Sequence, residues 1–290
     1  MEMREKRNNA GPDAVALRVR VGIGGWNFAP WRDTFYPPGL PQHRELDYAS
    51  RRVTAIEINS TYYGMQQPTT FAKWRDATPA GFLFSLKASR YATNRRILAE
   101  AGDSIARFIG SGIAELGDKL GPIVWQFAPA KRFEADDFEA FLALLPAGIN
   151  GLPLRHAVDV RHDSFMTPAF LSLARRYRVA TVFTDSADYP SFADPTADFI
   201  YARLMRSESA VATGYPAAAL DAWTGRARAW ASGAWPDDVP MIEGKPAHAA
   251  PRDVFLYFIN GAKGRAPAGA EAVRERLGYT PLAFADAAEA

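Results

Sequence analysis

Cysteine is absent from the 290 residues. No disulfide framework and no thiolate chemistry is available, and a metal site would have to be built from His, Asp and Glu. Histidine is scarce too, with four in the chain: His43, His156, His162 and His248. No apolar run approaches the roughly 18 consecutive residues of a membrane-spanning helix. The opening residues MEMREKRNNAGPDAVAL carry charges but no apolar h-region, which argues against a secretory signal. Charge of one sign is lacking as well: the formal net charge is +2 and the pI is near 8.8. So mild an excess does not by itself imply a nucleic-acid or membrane partner. These absences lead to the expectation of a cytoplasmic protein without a membrane partner.

What is present is an ordinary globular composition, 48% hydrophobic and 23% charged, far from the disordered class. Residues 1–17 read as a flexible polar tail with a Gly11-Pro12 break. Beyond it one pattern repeats: a short β-branched or aromatic run ends in polar residues and is followed by an amphipathic helical stretch. The runs are Arg18–Ile23, Ala55–Asn59, Phe82–Lys87, Ile123–Phe127, His156–Arg161, Ala180–Thr184, Phe199–Leu204 and Val254–Ile259. Helices are predicted over Gln42–Arg51, over Thr69–Asp76 with Thr69 as N-cap, and over Ile105–Lys119. Others are predicted around Phe138–Leu145, over Pro168–Tyr177 capped by Thr167, and over Ala217–Ala231. Alternating strands and helices imply a parallel sheet, and eight units favour closure. Gly22, Gly24 and Gly25 do not form the G-x-G-x-x-G turn of an open nucleotide-binding sheet. The expected fold is therefore a (β/α)8 TIM-type barrel in a single domain, residues 18–290, since such barrels commonly use roughly 250 residues. The stretch from Asp185 to Asp198 is too short and too rich in Pro and Asp for a full sixth helix, and Gly233–Arg252 reads as a long loop before strand eight.

In this fold the loops after the strands carry function. Residues two apart share a strand face, so Glu57 with Asn59, Ser85 with Lys87, Asp159 with Arg161, and Tyr201 with Arg203 form same-face pairs. Charges on one face of an apolar strand must be paired, solvated or functional. Glu57 and Asp159 suit a general acid/base pair, because strands two and five lie across the mouth; the plainer alternative is ion pairing with Lys87, Arg161 or Arg203. The cations suit a phosphate or carboxylate. Trp26 and Tyr62 belong to an aromatic group that either stacks on a sugar or base or closes the barrel top. His162, Asp185 and Asn260 complete the expected ligand contacts at strand ends. Three histidines fall outside this end: His43 at a helix start, His248 in a loop, and His156 at the start of its strand. Only His162 remains beside Glu57, Asp159 and Asp185, so no metal and no cofactor is assigned.

The strings GWNFAPWRDTFYPPGLP, EINSTYYGMQQPTTFAKW, FSLKASRY, DVRHDSF, TDSADYP and TADFIYARL resemble the YecE-like barrel family, also called domain of unknown function seventy-two. The resemblance runs from about Val19 to Asn260 and implies a (β/α)8 barrel, without supplying a reaction. Against the family pattern this chain has Asp159 where Glu is usual, and Arg203-Leu204-Met205-Arg206 where Arg-Leu-His-Gly is often found. That change removes one acid/base or ligand group. Two functions follow as expectations. One is a hydrolase or lyase acting on an anionic sugar or nucleotide-like substrate, with Glu57 and Asp159 as acid/base groups and Asn59, Lys87, Arg161 and Arg203 positioning it. The other is a non-catalytic module that binds nucleic acid or a phosphorylated ligand at the same mouth.

Overall fold

The computed structural model describes residues 12–246 and 250–284. Eight parallel strands close into a barrel: β1 Val19–Gly24, β2 Ala55–Ile58, β3 Leu83–Lys87, β4 Leu120–Gln126, β5 His156–Asp159, β6 Ala180–Thr184, β7 Phe199–Leu204 and β8 Asp253–Phe258. Each pairs with its sequence neighbours, and β8 returns to β1 with Val19 opposite Val254. Every predicted strand is present: two match residue for residue, and the ends of the other six move by three residues or fewer. Two-residue segments Gly148–Ile149 and Leu152–Pro153 form a separate antiparallel ribbon before β5.

The outer layer contains α1 Glu45–Arg52, α2 Ser60–Tyr63, α3 Pro68–Asp76, α4 Arg90–Thr93, α5 Gly102–Ile109, α6 Ala135–Ala143, α7 Pro168–Arg176, α8 Ala217–Ser232 and α9 Ala266–Arg276. Thr167 caps α7 as expected, its hydroxyl accepting from the Phe170 N–H. Thr69 does not cap α3. The helix begins one residue earlier, on Pro68, whose fixed φ and missing N–H suit the first helical position. The continuous helix expected over Ile105–Lys119 is also broken. α5 ends at Ile109, and a 3₁₀ segment runs over Ile113–Lys119. Between them Gly112 takes φ 106°, and a Cβ there would lie 2.6 Å from Pro68. Close packing on α3 therefore demands glycine, while the apolar stripe Ile105, Phe108, Ile113 and Leu116 stays buried across the break. No helix lies between Asp185 and Asp198, and the 233–252 stretch is a loop in its described part; His248 lies outside the described residues.

Residues 1–11 of the expected tail also lie outside the described residues. The rest of it is docked rather than loose. Asp13 pairs with Arg228 of α8 at 2.8 Å and caps the Ala16 N–H at 2.7 Å, and Ala16 is fully buried.

The core has two compartments. One lies between strands and helices. The other fills the barrel and is built from Ala55, Val124, Ala157, Ala180, Val182, Phe199, Tyr201, Phe255 and Tyr257. Its filling is lopsided. β7 and β8 supply the bulky rings, while small residues on β1, β2, β5 and β6 make room for them, as interlocking of large with small side chains requires. Gly22 of β1 is the tightest point. A Cβ there would lie 2.3 Å from the Ala55 carbonyl and 2.7 Å from the Tyr257 ring. Gly22→Ala should therefore destabilise the protein by about 1–3 kcal/mol or prevent folding. Urea unfolding checks this, and an unchanged midpoint would show that Tyr257 can yield.

Candidate functional site

Above the aromatic filling, the last inward positions of the strands are polar. Alternation along each strand places Glu57 on β2, Lys87 on β3, Gln126 on β4, Asp159 on β5 and Arg203 on β7 around one lumen. Arg203 is the centre, 2% exposed. Its two terminal nitrogens reach different carboxylates: Nη2 donates to Glu57 Oε1 at 2.9 Å, and Nη1 to Asp159 Oδ2 at 2.6 Å. Nη1 also donates to Gln126 Oε1 at 3.1 Å. Arg161, just past β5, donates to Asp159 Oδ2 at 3.0 Å and Gln126 Oε1 at 2.9 Å, and its guanidinium lies 4.3 Å from the Tyr189 ring.

A layer of hydroxyls supports this ionic layer. Tyr201 Oη donates to Glu57 Oε2 at 2.7 Å, and Tyr257 Oη pairs with Ser85 Oγ at 2.7 Å. Burial keeps both tyrosines protonated far above their ordinary range, so Tyr201 serves as a fixed donor to Glu57, while either hydroxyl of the Tyr257–Ser85 pair can donate. Glu57 is fully buried with both oxygens occupied. Burial alone would lower the Arg203 pKa, but the flanking carboxylates hold it above its ordinary value.

Lys87 differs from the other cations. It is 8% exposed, and no carboxylate stands within ion-pair distance of it among the described residues. Its Nζ lies 4.2 Å from the Tyr62 ring centroid, a cation–π contact. Thr61 fixes the strand end beside it, donating to the Lys87 carbonyl at 2.7 Å. Burial first, and then the charge of Arg203, bring the Lys87 pKa down to about 8, against a weaker upward pull from Glu57. At the lip, Asn59 is half-buried and its amide approaches the Glu57 carbonyl at 3.4 Å.

Six of the expected residues thus converge on the mouth: Glu57, Asn59, Lys87, Asp159, Arg161 and Arg203, with Tyr62 under the lysine. Four others are placed elsewhere. Trp26 packs edge-on against Trp74 and Phe84, behind the strands, because the chain turns at Gly25 with φ 74°. Asp185 follows the inward Thr184 and so shares the outer face with Phe183. There it accepts from the Met205 N–H at 2.6 Å and Tyr215 Oη at 2.7 Å, and burial raises its pKa. His162 closes its own turn, its Nδ1 accepting from the Ser164 N–H at 3.1 Å. Asn260 is exposed, and its backbone N–H reaches the Leu204 carbonyl at 3.4 Å. His156 is a core residue, accepting from Trp125 Nε1 at 3.1 Å and contacting the Pro146 carbonyl at 2.8 Å. Among the described residues no group of three or more His, Asp or Glu is placed to hold a metal ion, and no helix is long and apolar enough to cross a membrane.

Sequence reasoning had not assigned contacts to Gln126, Tyr201 or Tyr189. Gln126 and Tyr201 carried the same alternation signal as their neighbours. Tyr189 sits in an irregular loop, and no spacing rule connects it with Arg161.

An eight-stranded parallel barrel with a charged C-terminal mouth is the class of protein that fold and site define. The chain belongs to the family described as Protein of unknown function DUF72, whose model matches residues 20–289. It is 24% identical over 157 residues to the UPF0759 protein YunF of Bacillus subtilis, covering 52% of this chain and 54% of that protein. It is 25% identical over 150 residues to the UPF0759 protein YecE of Escherichia coli K12, covering 51% and 50%. The aligned part thus spans about half the length of these curated relatives. Among solved structures it resembles a DUF72 family protein of Thermotoga maritima, with TM-score 0.65 and 20% identity, covering 89% of this chain and 98% of that one. It also resembles one of Enterococcus faecalis, with TM-score 0.63 and 17% identity, covering 90% and 98%. These likenesses establish the fold.

Two stability predictions follow from the ionic layer. Arg203→Met leaves Glu57 and Asp159 buried without their shared partner and should cost about 3–5 kcal/mol in urea unfolding. Adding Glu57→Gln should recover part of that loss; a cost below about 1 kcal/mol would mean the layer is solvated. For Lys87 the sign is opposite. Its pKa falls from about 10.5 to about 8 on folding, so the unfolded chain binds the proton more tightly and the charged lysine opposes folding at neutral pH. Lys87→Met should raise the melting temperature at pH 7, and the gain should shrink as pH rises from about 8 toward 10.5. A gain independent of pH would contradict the depressed pKa.

Proposed function

We propose that the barrel mouth is the active site of a hydrolase or lyase acting on a small anionic sugar or nucleotide-like substrate. The observation that carries this reading is the charge count of a nearly closed layer. Three cations, Lys87, Arg161 and Arg203, face two carboxylates, Glu57 and Asp159. Both carboxylates are already held by guanidinium groups, so the excess positive charge lies on the side of Lys87 and Arg161. A desolvated cation without a counter-ion costs stability, and sites that keep one commonly use it on a ligand. A phosphate or carboxylate bridging Lys87 and Arg161 would neutralise the layer.

Within this reading the two acids part company. Glu57 has no free oxygen and positions Arg203. Asp159 lies nearer the opening, beside Arg161, and its Oδ1 meets only the long 3.4 Å contact from Arg161 Nε, so it is better placed for proton transfer, with Lys87, its pKa brought down to about 8, as the other candidate. Asn59 and Tyr62 border the substrate. The complete lack of cysteine supports placing the protein in the cytoplasm.

One observation favours the binding-module alternative. Tyr63 and Tyr91 are 65% and 63% exposed beside the mouth, with the Arg90 guanidinium 5.9 and 5.5 Å from their rings. Exposed tyrosines with an arginine suit the stacking of unpaired bases. Calorimetry separates the two readings. Inorganic phosphate or a sugar phosphate should bind wild type, and Arg161→Met should weaken binding by about tenfold or more with little change in unfolding free energy. If short single-stranded DNA binds instead, with steep salt dependence and sensitivity to Arg90→Ala, the binding module is the better description.

A further inference from the structure

We propose that Lys87 is a nucleophile that forms an imine with a carbonyl-bearing anionic substrate, which narrows the substrate to small aldehydes or ketones carrying a phosphate or carboxylate. This rests on the anion-accepting mouth proposed above.

The lysines of this chain show why Lys87 stands apart. Lys119 is held by the Arg75 carbonyl at 2.6 Å, the Thr78 carbonyl at 2.5 Å and Thr78 Oγ1 at 3.1 Å. Burial lowers its pKa too, but all three of its protons are donated to these acceptors, which hold the nitrogen away from any ligand. Lys131 pairs with Asp137 at 3.1 Å, and Lys245 pairs with Asp237. Lys87 is instead buried at the last inward position of β3, and every carboxylate oxygen near it is taken up by Arg203, Arg161 or Tyr201. Only the charges of Glu57 and Asp159, already paired elsewhere, and the Tyr62 ring favour its proton, and burial and the neighbouring guanidinium groups outweigh them. Desolvation and an adjacent cation are the standard means of making a lysine nucleophilic. With a pKa near 8 about half of its side chains are free amine at that pH, far more than for an ordinary lysine.

The surroundings also suit the product. The amine lone pair adds to the carbonyl carbon, the C–N bond forms, and the carbonyl π pair moves to oxygen; one proton then passes from nitrogen to that oxygen, giving the neutral carbinolamine. Its hydroxyl takes a second proton from solvent and leaves as water while the nitrogen lone pair closes the C=N bond, and the remaining N–H proton is released to solvent. Amine and carbonyl thus give imine and water with no oxidant or reductant. Once protonated, the imine carries the positive charge that the ammonium carried, so the Tyr62 face 4.2 Å away stabilises it in the same way. Arg161 remains available for the substrate's anionic group. An imine next to a carbon–carbon or carbon–oxygen bond provides an electron sink, which is the requirement of a lyase.

Lys263 is the competing amine. It too lies over rings, Nζ 4.7 Å from Phe28 and 5.7 Å from Trp31, and burial lowers its pKa. It stands outside the ionic layer, so no guanidinium pair is there to orient an anion.

Pyridoxal 5′-phosphate, an aldehyde with a phosphate, is a suitable probe. The full-length protein is treated with a limiting amount at pH 8 together with sodium cyanoborohydride, and the adducts are mapped by peptide mass spectrometry. In parallel, inorganic phosphate binding is measured by calorimetry. The expected result is labelling of Lys87 at least about tenfold faster than of Lys73, Lys245 or Lys263, slowed by added phosphate and absent from Lys87→Arg and Lys87→Met. If phosphate binds but Lys87 reacts no faster than the others, or Lys263 dominates, the imine inference is overturned and the anion site stands. If phosphate neither binds nor slows labelling, the anion-site reading falls, and the imine inference with it.

Discussion

The Arg203 guanidinium is the constraint on which the mouth of this barrel depends. It spans the lumen from β7 and ties Glu57 of β2 to Asp159 of β5. Glu57 has no other cation within ion-pair distance among the described residues, and leaving a buried charge unpaired costs several kcal/mol, whereas Asp159 is shared between Arg203 and Arg161. The effect of Arg203 extends to groups it does not touch. By occupying both acids it leaves Lys87 without a counter-ion, and its own charge opposes protonation of that amine. The same interaction that makes the layer rigid therefore makes one of its members reactive.

The layers beneath explain how such a cluster is tolerated. β7 and β8 fill the lumen with Phe199, Tyr201, Phe255 and Tyr257, and the two tyrosine hydroxyls lie just below the charges. Water is excluded from below, and the donor facing Glu57 is fixed in place. Gly22, Ala55, Ala157 and Ala180 provide the space for these rings. The apolar packing thus sets the depth at which the charges sit, and the charges in turn join strand ends that β-ladder bonds alone do not connect across the lumen.

The strands were legible in the sequence because each is a short run of β-branched or aromatic residues ending in polar ones, and Ala180–Thr184 and Phe199–Leu204 match residue for residue. The pairs spaced two apart located the ionic cluster, since period-two alternation survives tertiary packing. Failures occurred where that periodicity stops. Asp185 lies one residue past an inward threonine and takes the outer face. Trp26 follows a glycine of positive φ that redirects the chain. The helical stripe from Ile105 to Leu116 kept its spacing across a break, because burial needs only the apolar side chains and not a continuous helix. Identity of the charged residues was readable, and so was the Asp159–Arg161 pair two positions apart; which acids Arg203 would hold was not, because that choice is made across the lumen between residues more than forty positions apart.

The account turns on an anion being received between Lys87 and Arg161, at a layer whose carboxylates are already paired. Soaking crystals of the protein with tungstate, a phosphate-sized oxyanion with a strong anomalous signal, tests this most directly. The predicted result is one dominant anomalous peak at the C-terminal mouth, within hydrogen-bond distance of Lys87 Nζ and the Arg161 guanidinium, and missing in crystals of Lys87→Met. Peaks confined to surface arginines, with an empty mouth in both proteins, would contradict it.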